Sequence, residues 1–500
     1  MKLSRKRVAF QVVLHLVLAG HVAAYYFLDW TRIGAIDFQA FFHHFLGEGL
    51  LTAGALFTII MFGGALVFGR LFCSWGCHFG ATQDLAAWVL RKLGWKPPLV
   101  RTRFLHLTPY LVLVAVFGIP LAEKWIGEGW GTPRIDMAAV APWDTLPGWL
   151  LSVVTFLACG AGILLFLGTR GFCRFVCPYG AVFRLTDRAA PFKVRRVGAC
   201  SSGCSGGGAH PCTAACPTAI DVHRETEALG RVVSADCVRC NLCIEACPAG
   251  ALAHVTAGAA ARRLEPSIRK ALPVLPAPFR PAHDLPVAGE AAILGVAVVT
   301  YLAVDLIYGG HFLAATIALG HGFLAWAALA TILGGPDAAV LGFPLRRGTR
   351  WTFAGIGAVG LFAIASVPVA EAGAFRLIRA DGLRLDSGAT PLAAFSAPDD
   401  ERIDPGAAAG SRRLEERRRL ARAADRYRLA LAIFPSDLTT RRLLLGAYVR
   451  IGDPRALDEA REISRRSPSG DAWAREALEW TERRFARLPP PGQANRSGTE

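Results

Sequence analysis

Residues 236–252 read DCVRCNLCIEACPAGAL and place Cys237, Cys240, Cys243 and Cys247 in the spacing C-x2-C-x2-C-x3-C-P. Three thiolates this close together in one loop can grip three irons of a cubane. The fourth, ahead of Pro248, starts a helix and reaches a neighbouring cluster. A zinc site takes its ligands in C-x2-C pairs and has no need of the third spacing or the proline. Upstream, residues 200–220 read CSSGCSGGGAHPCTAACPTAI and offer Cys200, Cys204, Cys212 and Cys216 in C-x3-C-x7-C-x3-C-P. The first gap is wider, and Ser205 to Pro211 reads as a Gly-rich insertion. Both runs nevertheless end alike, CPTAI against CPAGAL.

The downstream run is that of bacterial ferredoxins, and two-cluster ferredoxins exchange their last cysteines. The expectation is therefore two [4Fe–4S] clusters, one on Cys200, Cys204, Cys212 and Cys247 and the other on Cys237, Cys240, Cys243 and Cys216. Such thiolates persist in a reducing compartment.

Around this module the chain is apolar. Of 500 residues 53% are hydrophobic and 19% charged, with a mean hydropathy of +0.36, so three soluble cores are excluded. Length excludes a small disulfide-stapled secreted domain, and hydrophobicity excludes a disordered chain. A bilayer core needs about 20 apolar residues per helix. Seven stretches serve: Val8 to Leu28, Leu50 to Phe68, Phe104 to Ala122, Trp149 to Leu167, Ala291 to Tyr308, Phe312 to Leu333 and Trp351 to Val369. Lys plus Arg in the segments from the N-terminus to the loop before the seventh stretch number 4, 1, 6, 2, 15, 0 and 3. By the positive-inside rule the 168–290 segment is cytoplasmic and the tail after Val369 lies outside. The +16 net charge thus reads as an orientation label plus a basic tail, and no nucleic-acid partner is expected.

Residues 70–85, RLFCSWGCHFGATQDL, repeat at an offset of 100 as RGFCRFVCPYGAVFRL at 170–185. Arg70/Arg170, Phe72/Phe172, Cys73/Cys173, Cys77/Cys177, Gly80/Gly180, Ala81/Ala181 and Leu85/Leu185 coincide. The first four spans then form two parallel hairpins that bring Cys73, Cys77, Cys173 and Cys177 to one depth. Four thiolates suit a third cluster, copper or a redox thiol pair. Each pair shares a helix face if the helix runs through both. Asp305 and His321 are polar at membrane depth and are functional candidates. His15 and His21 lack a matched partner, and no haem is assigned.

Over roughly Leu50 to Leu252, CxxxC motifs after two membrane helices followed by a double-cubane segment resemble the membrane-bound polyferredoxins of the NapH, NosR and CcoG type. Cys173, Cys177 and Pro178 match the family motif, while His78 follows Cys77 where the family has proline. The resemblance implies electron transfer between the quinone pool or a cytoplasmic donor and a periplasmic redox partner, with quinone as a further ligand and a quinol dehydrogenase as the host system. A competing reading is an assembly factor that handles or reduces copper for a respiratory metalloenzyme through its CxxxC thiols. Genomic context apart, both place the chain in a bacterial inner membrane.

The fold class expected is predominantly α: a polytopic transmembrane protein with an inserted small α+β double-cubane module and a C-terminal helical domain like tetratricopeptide repeats. Its domains are a four-helix membrane part (1–190), the ferredoxin-like module (191–260), a linker (261–290), three further spans (291–370), a linker (371–410), a helical domain (411–488) and a disordered tail (489–500). In the tail, LLLGAYVRIGD between Pro435 and Pro468 looks like a repeat helix and its turn. Such a helical stack docks proteins.

Overall fold

The computed structural model describes residues 3–95, 100–127, 129–142, 149–200, 204, 210–263, 283–308, 311–340, 343–386, 407–467 and 471–485. They form two units, Met1–Ile364 and Ala365–Glu500. Residues 205–209 of the Gly-rich insertion, residues 264–282 and 387–406 of the two linkers and the 489–500 tail lie outside the described residues.

The first unit is mainly helical. Among the described residues of the whole chain, five helices are long and apolar enough to cross a membrane: Ser4–Phe27, Leu105–Gly127, Val287–Asp305, His311–Leu333 and Phe353–Leu385. Two of the seven expected spans are shorter, Ala53–Phe68 and the apolar core Ser152–Gly162. The reason for the first is local. Leu50–Leu51 pairs in parallel with Arg134–Ile135, and Thr52 Oγ1 then accepts from Ala55 N at 3.2 Å and starts the helix. It stops at Gly69, whose φ of +72° suits glycine. Its 16 residues rise only about 24 Å, against a bilayer core of about 30 Å. The seventh expected span runs longer than its apolar stretch. Phe353–Leu385 stays helical past Val369, with Pro368 inside it, because Glu371, Ala372, Ala374, Leu377 and Ala380 favour helix where a loop was expected.

The two repeats share backbone detail. Short helices Leu71–Trp75 and Gly171–Phe175 lead into His78–Lys92 and Pro178–Ala189. The amides of Cys77 and Cys177 donate to Phe72 and Phe172 carbonyls at 3.1 and 2.9 Å. Cys77 and Cys177 each sit in extended conformation as N-cap of the longer helix. No single helix therefore carries both cysteines of a pair, contrary to the shared-face expectation. Gly76 and Val176 end the first helix, and the chain turns before the second begins.

The ferredoxin module is closed by an antiparallel ribbon, Lys193–Arg196 against Leu252–Val255, with Lys193 opposite Val255. Short helices Pro211–Ala214, Val222–Leu229 and Leu242–Glu245 fill it, over a core of Val194, Ile220, Val222, Val232 and Leu252.

In the second unit, helices Ala407–Ile433, Leu438–Ile451, Arg455–Arg466 and Ala472–Phe485 pack each against the next. Breaks fall beside Pro435 and at Gly452 to Pro454, as their chemistry requires. Ala423, Tyr427, Leu444, Ala460, Ile463 and Ala477 form the core. Tyr427 and Arg450 meet the buried carboxylate of Asp386 at 3.4 and 2.6 Å.

Candidate metal centres

The cysteine loop 237–243 curls because Arg239 and Asn241 adopt left-handed conformations, with φ of 55° and 61°. Asparagine tolerates this region, whereas arginine does so at a cost of about 1 kcal/mol. Arg239 is held there from outside: its guanidinium meets both carboxylate oxygens of Asp187 at 2.7 Å and 2.8 Å. Its Nη1 also donates to Cys237 Sγ at 3.5 Å.

The eight ferredoxin cysteines divide between two small cavities. Cys200, Cys204, Cys212 and Cys247 line one, beside His210 and His223. Cys216, Cys237, Cys240 and Cys243 line the other, beside Thr218 and Asn241. Each run thus sends its last cysteine to the other run's cavity. Burial, then the neighbouring Cys216, pushes the Cys240 thiol up to about 12, and burial likewise raises Cys212. Thiols in such surroundings lose their protons to a metal and not to solvent. Among the described residues no three His, Cys, Asp or Glu side chains converge as ligands of a single ion do. A cubane takes each thiolate on a different iron, so its sulfurs surround a volume and not a point. The donor sets fit that group.

Cys73, Cys77, Cys173 and Cys177 also meet. All four line one largely apolar cavity of about 1050 Å³, whose walls include Phe10, Phe38, Phe57, Phe156 and Phe312. The repeats brace each other across it. Arg170 Nη1 donates to the Cys73 carbonyl at 2.7 Å, and Gln83 Nε2 approaches Cys173 Sγ at 3.5 Å. Burial raises the Cys73 thiol while Arg70 works against it, and burial with Cys173 and Cys73 puts Cys77 at about 12.

Six arginines are less than a tenth exposed, Arg7, Arg70, Arg170, Arg174, Arg184 and Arg239, of which Arg70 lines this cavity and Arg239 belongs to the ferredoxin cysteine loop. Five of them, all but Arg70, form ion pairs, with Asp84, Asp187 and Asp236. Asp84 takes Arg170 at 2.5 Å and Arg7 at 3.2 Å, and Asp236 takes Arg184 at 2.5 Å and Arg174 at 3.2 Å. These residues carry no motif of their own. The one trace in the sequence is Arg70 and Arg170 recurring at matched repeat positions.

The polar residues at membrane depth are bonded locally. Asp305 accepts from His311 at 2.6 Å, His321 meets Thr300 at 2.8 Å, and His15 and His21 meet the carbonyls of Gln11 and Gly34. Cys159 is buried, 3.1 Å from Thr316 Oγ1.

Residues 50–96 and 146–196 match a family model described as a 4Fe-4S binding domain, and residues 231–253 match a second model of that description. The chain is similar to the regulatory protein NosR of Stutzerimonas stutzeri, 29% identical over 36% of this chain and 26% of that protein. It is also similar to the ferredoxin-type protein NapH of Haemophilus influenzae, 26% identical over 40% of this chain and 67% of the relative. The methylamine utilization ferredoxin-type protein MauN of Methylobacillus flagellatus is 26% identical over 38% and 70%. The chain therefore spans about a quarter of NosR and two thirds of NapH. No solved structure matches it. The matches fall on the two cysteine repeats and the ferredoxin run that follows, and over these segments the chain is similar to NapH- and NosR-like membrane polyferredoxins.

Proposed function

We propose that this chain is a membrane iron–sulfur electron-transfer protein, connecting the quinone pool or a cytoplasmic donor to a periplasmic redox partner. The observation that carries the reading is the division of eight cysteines, four and four, between two cavities with their last members exchanged. Cys200, Cys204, Cys212 and Cys247 hold one [4Fe–4S] cluster, and Cys216, Cys237, Cys240 and Cys243 hold the other. Such a group supplies one-electron transfer at a potential set by charge, hydrogen bonds to sulfur and exposure. The chain's own part is to bury most of the thiolates, Cys200 being exposed, and to aim Arg239 at Cys237.

The apolar cavity against Cys73, Cys77, Cys173 and Cys177 has the volume and lining to take a quinone headgroup. Lys and Arg counts support a ferredoxin module on the cytoplasmic side of the inner membrane and a tail after Val369 on the periplasmic side. There its successive antiparallel helices, like tetratricopeptide repeats, present a docking face to a partner protein. The names of the relatives, ferredoxin-type proteins among them, support electron transfer, and the copper-handling alternative draws no support from them.

Anaerobic purification followed by iron analysis and EPR tests the reading. At least about eight irons per chain are expected, with signals that a short-chain quinol reduces. Zinc in place of iron, or clusters indifferent to quinol, would overturn the cluster or the quinone part respectively.

A further inference from the structure

We infer that Cys73, Cys77, Cys173 and Cys177 hold a third, anionic iron–sulfur centre, and that Arg70 is the positioning residue that raises its reduction potential. The inference rests on the electron-transfer reading and assigns the membrane-edge thiols, for which a cluster, copper and a redox thiol pair all have the right residue types.

Charge decides among the three. Arg70 is fully buried and lines the same cavity as the four cysteines. Its Nη1 donates to the Ala235 carbonyl at 2.7 Å, while Nε and Nη2 have no oxygen or nitrogen partner among the described residues. Nη2 lies 3.5 Å from where a Cβ on Gly180, three residues after Cys177, would stand. Among the described residues no carboxylate pairs with this guanidinium. Its counterpart Arg170 is different, held by Asp84 at 2.5 Å. Asp236 and Asp187 act on this cation only from beyond ion-pair distance, while Cys73 and Cys173 also favour its charge, so an anionic centre on the cavity thiols is the charge it would face directly.

A thiol or disulfide pair is neutral and leaves Arg70 unmatched. One Cu(I) on two thiolates is a monoanion and uses half of the four cysteines. Four thiolates on a [4Fe–4S] core make a dianion that becomes a trianion on accepting one electron. A fixed cation beside it favours the reduced form and so raises the potential. Gln83, donating towards Cys173 Sγ at 3.5 Å, acts in the same direction.

The test is iron analysis and an EPR redox titration of the full chain, purified anaerobically. About twelve irons are expected, falling to about eight in a Cys73→Ser/Cys77→Ser variant that keeps both ferredoxin signals. The signal lost in that variant should titrate at lower potential in Arg70→Gln. The expected change is at least tenfold in the reduced-to-oxidised ratio at a given solution potential, which is about 59 mV for one electron. Arg70→Lys should retain most of the wild-type value. If Arg70→Gln does not fold, Gln83→Leu reports the same direction through the sulfur hydrogen bond. Eight irons in the wild type, or a midpoint that neither substitution moves, overturns the inference and leaves the two-cluster reading standing. Absence of the ferredoxin irons fails that reading itself.

Discussion

The guanidinium of Arg239, from the cysteine loop of the ferredoxin module, closes on the carboxylate of Asp187, near the end of the second repeat's long helix, at 2.7 Å. Arg239 is 1% exposed and Asp187 4%. This pair holds the left-handed turn at Arg239 and ties the module to the repeat. Gly69 makes the approach feasible, since a Cβ there would stand 2.3 Å from Asp187 Oδ1. Asp187→Asn strands a buried cation, and such losses cost about 3–5 kcal/mol. The expected outcome is a lower unfolding temperature, with loss of the EPR signal of the Cys237 site before that of the Cys247 site.

Because the last cysteines are exchanged, single substitutions should group by cavity and not by sequence run. Cys216→Ser should abolish the same signal as Cys240→Ser, and Cys247→Ser the same signal as Cys212→Ser. Each should remove about four irons. Signals that instead group as 200–216 and 237–247 would contradict the exchange.

Gly80 lies where the repeats touch. A Cβ on it would stand 2.4 Å from both Arg170 Nη1 and the Cys73 carbonyl. Gly80→Ala should therefore destabilise by about 1–3 kcal/mol, as overpacking does. Gly64→Ala has nothing within 4 Å and should be neutral or slightly stabilising. Thermal denaturation of the two variants in detergent, side by side, checks the contrast.

In the second unit, hydrogen bonds from Arg455 hold the Asp453 carboxylate below its ordinary value, with partial burial working the other way. A depressed carboxylate stabilises the fold above the usual carboxylate range and ceases to do so as pH falls through its folded value. Arg455 is 51% exposed, so the contribution is under about 1 kcal/mol. Asp453→Asn should raise hydrogen exchange in residues 438–466 at neutral pH and flatten its increase on acidification. An unchanged acid slope would rule this out.

Much of the chemistry was legible in the linear chain because it is short-range. Cysteines three or four residues apart, a proline after the last, and a repeat at an offset of 100 are visible without a fold, and apolar runs announce their helices. Helix ends were less legible. Leu50–Leu51 is as apolar as the helix that follows, and only its pairing with Arg134–Ile135 takes it out of that helix. Cys77 and Cys177 are helix caps because the chain turns at Gly76 and Val176, which spacing alone did not distinguish from one continuous helix.

Residue type and spacing alone thus determined which thiols are spaced as iron–sulfur ligands are and which segments are apolar enough for lipid, since both depend on near neighbours and on solvation of the segment itself. Tertiary structure decided which charges those thiols face. Arg70 reaches the Ala235 carbonyl across 165 residues, Gln83 reaches Cys173 across 90, and Arg239 finds Asp187 across 52. A buried guanidinium is tolerable only where the fold brings an anion to it, and such meetings follow from how distant segments pack.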